Sequence, residues 1–346
     1  MPAHPGVSVI IPVAARDSPP AGADPPAVRS AAGQQYPGSL ETVVVASIPP
    51  EQQPAEGQPP TAQAAEDLPG ATDKVRRLHA GVGKARYPVL AFWDADVRAP
   101  AGLLARLVRA LDRPGVGLAY ALPCWTGAQT LPGLLLQAWA NAQVGTFLLP
   151  IASYGRRQPV TGALVLVHRH VLQEVGGMAA LAGYLADDAR LGELVQASGY
   201  RAVPCGWVRV GCGRRAWGEA LSTFLRWLLT LRHHTPRAYA LSYLTHPVAA
   251  ALVWGLAMHL QGAPLLPAWA PVLAVALVRV LAASLPPRLA GASDPWVAVL
   301  APVADLVAAV LWPAPLLVRR VTWAGTTYRI LGGGRVTKRN ASRKRQ

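Results

Sequence analysis

The apolar positions of this chain fall into two regimes. Before about residue 200 they form short runs broken by polar or Pro/Gly-rich stretches, and beyond about residue 238 they form long blocks. In the first regime, residues 7–13, 42–46, 89–96, 116–122 and 160–167 are near-continuous apolar runs of strand length, the pattern of strands buried on both faces. Helices are predicted between them near 26–35 and over 73–82, 101–112, 171–177 and 184–194. In 101–112 the residues Leu103, Leu104, Leu107, Val108 and Leu111 recur at helical spacing. Residues 48–72, rich in Pro, Gln, Ala and Glu, are predicted as a long flexible loop. The alternation of strand and helix predicts an α/β domain with a mainly parallel sheet flanked by helices.

The second regime opens with an amphipathic stretch over 215–235. There Trp217, Leu221, Phe224, Leu225, Trp227, Leu228 and Leu231 sit among Arg215, Arg226 and Arg232, the composition of a helix lying in a membrane interface. Residues 238–260, 264–285 and 295–318 are apolar blocks of membrane-spanning length. Arg279 and Asp305 interrupt two of them and must face protein or the interface. Residues 131–149 are also apolar, but Pro132, Gln137, Asn141 and Gln143 predict a buried or surface-lying helix and not a span. The tail carries Arg319, Arg320, Arg329, Arg335, Lys338, Arg339, Arg343, Lys344 and Arg345, which assigns it to the cytoplasmic side. With the N-terminal half on the same side, an even number of crossings is required. Two are expected, the Pro-rich third block lying flat or re-entrant. The expected organisation is a cytosolic domain over 1–212, an interface helix over 213–237, a membrane region over 238–318 and a basic cytoplasmic tail over 319–346.

Charge and cysteine content narrow the function classes. The 346 residues hold 33 Lys+Arg against 18 Asp+Glu, a balance that suits nucleic acid, a membrane surface or an anionic substrate. The basic residues concentrate at 201–237 and 319–345, beside the apolar blocks, which points to a membrane surface. With no zinc-finger spacing and no base-reading basic helix, nucleic acid is excluded as a partner. The three cysteines, at 124, 205 and 212, lack metal-ligand spacing. They fit small buried thiols in a reducing compartment. The abundance of Ala, Pro, Gly and Arg has the look of a GC-rich bacterial genome, so the expected location is a bacterial inner membrane with the catalytic domain facing the cytoplasm.

The candidate chemistry begins at the end of the 89–96 run, where Asp94 and Asp96 stand one residue apart. The mouth of a buried parallel strand is where open α/β sheets bind ligands. Two nearby acids repel unless a positive charge lies between them, and Mg²⁺ or Mn²⁺ bridging to substrate phosphates is the usual solution. On spacing alone a capped turn is the commoner meaning of this pair. Further on, Asp187 and Asp188 open a predicted helix, where capping by the dipole is the plain alternative to chemistry.

The order of motifs is more specific than any one of them. A Val-Ser-Val-Ile-Ile-Pro strand from Val7 is followed by Gly70-Ala71-Thr72-Asp73-Lys74-Val75, Asp94-Ala95-Asp96 and Val160-Thr161-Gly162. Gly176-Gly177, Tyr184-Leu185-Ala186-Asp187-Asp188, Leu225-Arg226-Trp227 and the apolar blocks come next, then Trp323 to Arg329 and Gly332-Gly333-Gly334. This series resembles the family 2-type glycosyltransferases with a GT-A fold. Within them it is similar to the ceramide glucosyltransferase branch, including bacterial hopanoid-associated glycosyltransferases. The resemblance implies a membrane-bound inverting, metal-dependent hexosyltransferase. Its donor is a nucleotide-diphospho-sugar, UDP-linked by preference, and its acceptor a hydroxyl of a hopanoid, ceramide-like or other lipid. It implies that Asp94 and Asp96 hold a divalent cation, with Asp96 the direct ligand, and that Lys74 recognises uracil or phosphate. Asp188 is implied as catalytic base, with Asp187 a cap or a neighbour raising its pKa. Arg226 and Trp227 are implied at the diphosphate and acceptor.

Several departures fall at the nucleotide end. Thr223 stands where the last motif opens with Gln or Arg, Thr72 where an Asn is usual, and Ala46-Ser47-Ile48 where an early Asp is expected, the nearest acid being Glu51. An altered donor preference follows as an expectation. No signal peptide precedes the first strand, and the N-terminal membrane helix common in that branch is expected to be missing or upstream. Two other readings compete. A processive polysaccharide synthase needs more spans and an intact Gln-x-x-Arg-Trp. A degenerate non-catalytic scaffold has no use for Asp94, Asp96, Asp188 and Arg226 together.

Overall fold

The computed structural model describes residues 4–14, 24–46, 68–323 and 326–338. Most of the predicted 48–72 loop, Ser47, Ile48, Glu51, Ala324, Gly325 and the basic residues beyond Lys338 lie outside that set.

The first regime folds as β1 (Val7–Val13), α1 (Pro26–Ala32), β2 (Leu40–Ala46), α2 (Asp73–Lys84), β3 (Val89–Trp93), β4 (Val97–Arg98), α3 (Leu103–Leu111) and β5 (Val116–Thr126). There follow α4 (Leu131–Gln143), a π-helical turn over Val144–Leu148, α5 (Leu149–Tyr154), β6 (Leu164–His168), α6 (Arg169–Glu174), α7 (Asp187–Ala197) and β7 (Arg201–Gly211). The seven strands form one sheet in the order β2-β1-β3-β6-β5-β7-β4. The β1–β2, β1–β3 and β5–β7 pairs are parallel, while β6 and β4 run against their neighbours. Five strands therefore end at the same edge, and the loops that follow them gather there.

Every residue of β1, β3 and β6 is buried, as near-continuous apolar runs require of strands covered on both faces. On one face α1 and α3 close a core around Trp93, Leu104 and Leu107. The five apolar residues of α3 at helical spacing are all buried, and Arg106 and Arg109 face water. On the other face α2, α6 and α7 pack around Leu78, Tyr120 and Leu191.

Two strands differ from the reading of the pattern. Residues 160–163 are not strand, and β6 starts only at Leu164, because Thr161 and Gly162 first pass close beside α7. A Cβ on Gly162 would lie 2.7 Å from an Asp188 carboxylate oxygen, so the turn keeps a residue without one. The eleven-residue β7 was hidden by Pro204 and Gly206, which break a strand pattern. Both are accommodated at an irregularity in the β5–β7 register, where Gly206 has φ +79°.

The second regime begins with α8 (Trp217–His234) and α9 (Pro236–Ser242). It continues through α10 (Pro247–Leu260), α11 (Leu265–Leu289), a 3₁₀ turn over Pro295–Leu300, α12 (Ala301–Leu311) and α13 (Ala314–Leu317). Among the described residues four helical stretches are long and apolar enough to cross a membrane, Leu131–Tyr154, Pro236–Leu260, Leu265–Leu289 and Pro295–Leu317. The first of these includes residues 131–149. Half of its most apolar part is buried inside the protein, and its amides are used there. Asn141 accepts from the Trp125 backbone N–H and donates to the Trp125 carbonyl, both at 2.9 Å. Gln137 accepts from Ala128 N–H at 3.0 Å and donates to Asp294 at 2.7 Å. The helix is thereby latched to the end of β5.

Arg279 and Asp305, which interrupt the second and third blocks, meet each other. The guanidinium donates to both carboxylate oxygens at 2.6 and 2.7 Å, and its third nitrogen donates to Thr146 Oγ1 at 2.7 Å. Both side chains are buried, so the charges face protein as the cost of an intramembrane ion demands.

The stretch read as a basic tail also has structure. β8 (Arg320–Trp323), β9 (Thr326–Ile330) and β10 (Val336–Lys338) form an antiparallel three-stranded sheet. Its Val321, Tyr328, Ile330 and Val336 pack on Leu185 and on Leu229 of α8.

Candidate active site

The strand ends, the start of α7, α8 and β8 surround one cavity of about 870 Å³. Lys74, Asp94, Asp96, Asp187, Asp188, Arg226 and Trp227 all line it. The structure thus brings together every residue singled out from the sequence, although 153 positions separate Lys74 from Trp227.

The turn after β3 holds its shape through the backbone. Asp94 N–H donates to Ala163 O at 3.1 Å, Ala27 N–H to Ala95 O at 3.2 Å and Gly211 N–H to Asp96 O at 3.2 Å. Trp93 Nε1 donates to Val97 O at 3.3 Å. These backbone bonds tie the turn to the segment before β6, to α1 and to β7. Asp94 is half-buried and Asp96 exposed.

The acids at the start of α7 stand on its first turn, where the helix dipole favours them. The residue before the helix is Ala186, and no side-chain cap bond is made there. Asp187 is buried while Asp188 is half-buried at the cavity wall. Lys74 reaches between the two acid pairs, with Nζ 2.9 Å from an Asp94 oxygen and 3.5 Å from an Asp187 oxygen. It stands on the first turn of α2, whose N-terminus is capped by Thr72 accepting from Val75 N–H.

Burial opposes the charge on Lys74, but Asp187, Asp94 and Asp188 outweigh it and hold the ammonium above the usual lysine range. Burial acts on Asp187 in the other direction. Against the pull of Lys74, and helped by Asp188 and Asp94, it raises that carboxyl to about 6. The site is therefore an acid cluster with one cation inside it and Arg226 across the cavity.

Arg226 and Trp227 diverge from adjacent positions on α8. The Trp227 ring lies 5.4 Å from that of Trp125, edge to face, and 5.8 Å from that of Trp139, stacked. The Arg226 guanidinium sits 5.9 Å from the Trp227 ring and 5.8 Å from the Trp323 ring. Thr223 lines the cavity one turn earlier, its hydroxyl donating to Glu219 O at 2.9 Å.

Several lining residues were not assigned to the site from the sequence, among them three arginines and Trp323. Arg77, Arg214 and Arg215 also face the cavity. Arg77 recurs three positions after Lys74 on one helix face, a signal the sequence did carry. Trp323 opens one of the motifs quoted above, but its place in the site depends on how the chain returns from the apolar helices. The three cysteines are unpaired with one another. Burial pushes Cys124 and Cys212 up to about 12, which keeps those thiols protonated and inert.

As to a divalent cation, no group of three or more His, Cys, Asp or Glu forms a metal cage among the described residues. Mg²⁺ and Mn²⁺ do not require one. One or two carboxylates beside room for a diphosphate are the donor set such ions take together with substrate phosphates. Asp94 and Asp96 on this cavity fit that set.

The five-plus-two-strand α/β sheet, with acids at its strand mouths and a helix-borne Arg-Trp pair lining the cavity, is the GT-A architecture expected above. Residues 62–336 match glycosyl transferase family 21, and the chain belongs to that family. Among solved structures, it is similar to a mannosyltransferase from Pyrobaculum calidifontis in complex with GDP-Man and Mn²⁺. The identity is 17%, covering 89% of this chain and 86% of that one, with a TM-score of 0.45. It is also similar to glucosyl-3-phosphoglycerate synthase from Mycobacterium tuberculosis in complex with Mn²⁺, UDP and phosphoglyceric acid. There the identity is 19%, over 61% of this chain and 70% of that one, with a TM-score of 0.35.

Proposed function

We propose that the protein is a membrane-embedded, inverting glycosyltransferase that moves one sugar from a nucleotide-diphospho-sugar to a lipid hydroxyl. The observation that carries this reading is the single cavity shared by Asp94, Asp96, Asp188 and Arg226. The helices long and apolar enough to cross a membrane support a membrane setting and with it a lipid acceptor. We place the catalytic face on the cytoplasmic side of a bacterial inner membrane, where nucleotide sugars are made.

Asp188 takes the proton from the acceptor hydroxyl as that oxygen forms its bond to the anomeric carbon. The bond from that carbon to the diphosphate breaks, and the nucleoside diphosphate leaves with the electron pair. One base and one displacement invert the anomeric centre. Arg226 and Lys74 face the diphosphate charge from two sides, and Arg226 is suited to phosphate by its planar fork. Asp94 and Asp96 would hold Mg²⁺ or Mn²⁺, which when bound neutralises charge on the leaving group. Trp125 and Trp227 wall the acceptor side with apolar surface.

At the nucleotide end, β2 ends in Ala46 where a base-binding acid is expected, so we assign this chain a donor preference other than ordinary UDP-glucose use. A panel of nucleotide sugars tests that assignment. The activity itself is tested with the purified full chain, Mn²⁺, a nucleotide sugar and lipid extract. Asp188→Asn is expected to lower kcat by about 10²–10⁴-fold with donor binding retained. Unchanged turnover in Asp188→Asn would remove the assigned base. Mass spectrometry of the product, showing one added hexose, identifies acceptor and donor together.

A further inference from the structure

The small sheet beyond the last apolar helix has no part in the chemistry above, yet it touches Arg226 and the residue that precedes Lys74. Trp323 at the end of β8 lines the cavity beside Thr322. Its ring centroid lies 5.8 Å from the Arg226 guanidinium, and that of Trp227 5.9 Å from it. Arg226 thus has two indoles beside it, from elements about a hundred residues apart in the chain.

On the neighbouring strand, Thr326 Oγ1 donates to Asp73 Oδ2 at 2.8 Å, and the Tyr328 hydroxyl accepts from the Asp73 backbone N–H at 3.2 Å. Lys338 Nζ on β10 stands 3.9 Å from the other Asp73 oxygen. Asp73 precedes Lys74 on the first turn of α2. The sheet is itself fixed to the segment that carries the base. Arg335 Nε donates to Tyr184 Oη at 3.2 Å, and Val321, Tyr328 and Ile330 are buried against Leu185 and Leu229.

We propose that this C-terminal sheet is a positioning element for the donor site, with Trp323 as the positioning residue for Arg226. The inference rests on the transferase reading given above. A long arginine samples many rotamers, and a fork aimed at a diphosphate is effective only in a few of them. Two aromatic rings within cation–π reach reduce the rotamers the guanidinium samples, and Trp323 supplies the one that does not come from α8 itself. The gain is made before donor arrives, so it is realised as donor affinity. The second tie, from Thr326 and Tyr328 to Asp73, keeps the start of α2 and with it Lys74 in register with the same sheet.

The test is steady-state kinetics with the purified full chain for parent, Trp323→Ala, Trp323→Phe, Arg226→Ala and the Trp323→Ala/Arg226→Ala pair. Trp323→Ala is expected to raise the donor KM by about tenfold, with a smaller change in kcat, and Trp323→Phe to recover most of that loss. In the Arg226→Ala background Trp323→Ala is expected to change the donor KM less than twofold, because the group it positions is gone. Thermal melting confirms that the Phe variant is folded. Losses that multiply independently in the pair, or an unchanged KM in Trp323→Ala, overturn the inference while leaving the transferase reading intact. A parent that turns over no nucleotide sugar sinks both.

Discussion

At the scale of single residues, the decisive fact is the environment of Asp187. Its carboxyl is buried beside Asp188 and Asp94 and is raised to about 6, with Lys74 and a hydrogen bond from its own backbone N–H opposing the rise. The direction sets a stability signature. A carboxyl whose folded pKa lies above its unfolded value near 3.8 binds its proton more tightly in the folded state. The stability this contributes is complete below about pH 4 and is lost as pH rises through about 6. Melting of the detergent-purified protein without donor or cation should therefore decline between pH 4 and 7 more steeply in the parent than in Asp187→Asn. Parallel slopes in the two proteins would show that Asp187 does not titrate in this window. The individual acids were legible from the sequence because strand mouths and helix starts are the places where carboxylates serve chemistry or caps. Which of the two they serve was not legible, since it depends on where the Asp94–Asp96 turn and the first turn of α7 find their hydrogen bonds.

At the scale of elements, α4 shows what a hydropathy pattern leaves open. The run is long and apolar enough to span, yet Asn141 is spent on both backbone groups of Trp125. Trp125 is also the ring against which Trp227 packs. Replacing Asn141 by Leu leaves a partly buried N–H and C=O without partners. The expected cost is about 2–4 kcal/mol, read as a fall in Tm together with weaker acceptor use as the Trp125 wall loosens. An unchanged Tm would mean that water takes over both groups. The strands β1 and β3 were legible because a strand buried on both faces has nothing but apolar residues to show. β7 was not, because Pro204 and Gly206 are tolerated only by virtue of a register shift against β5, a property of the pair and not of the strand.

At the scale of the molecule, the apolar helices are tied to one another by a buried charge pair and to the catalytic unit by the C-terminal sheet. The Arg279–Asp305 pair is bidentate and sealed from solvent. Breaking it with Asp305→Ala strands the guanidinium, and a loss of about 3–5 kcal/mol is expected. Arg279→Met together with Asp305→Leu removes both charges and should melt close to the parent. If the single and the double variant melt alike, the pair is not what holds α11 to α12.

What the amino-acid order determined by itself was local. Runs of apolar residues marked β1, β2, β3 and β5 and the long apolar helices, and the spacing of acids marked where charge would collect. Only the tertiary structure decided that Lys74 lies among those acids, that Arg279 and Asp305 meet, and that Trp323 returns to lie beside Arg226. Each of these is a pairing between residues far apart in the chain, and its energy comes from burying charge or aromatic surface that no local pattern records.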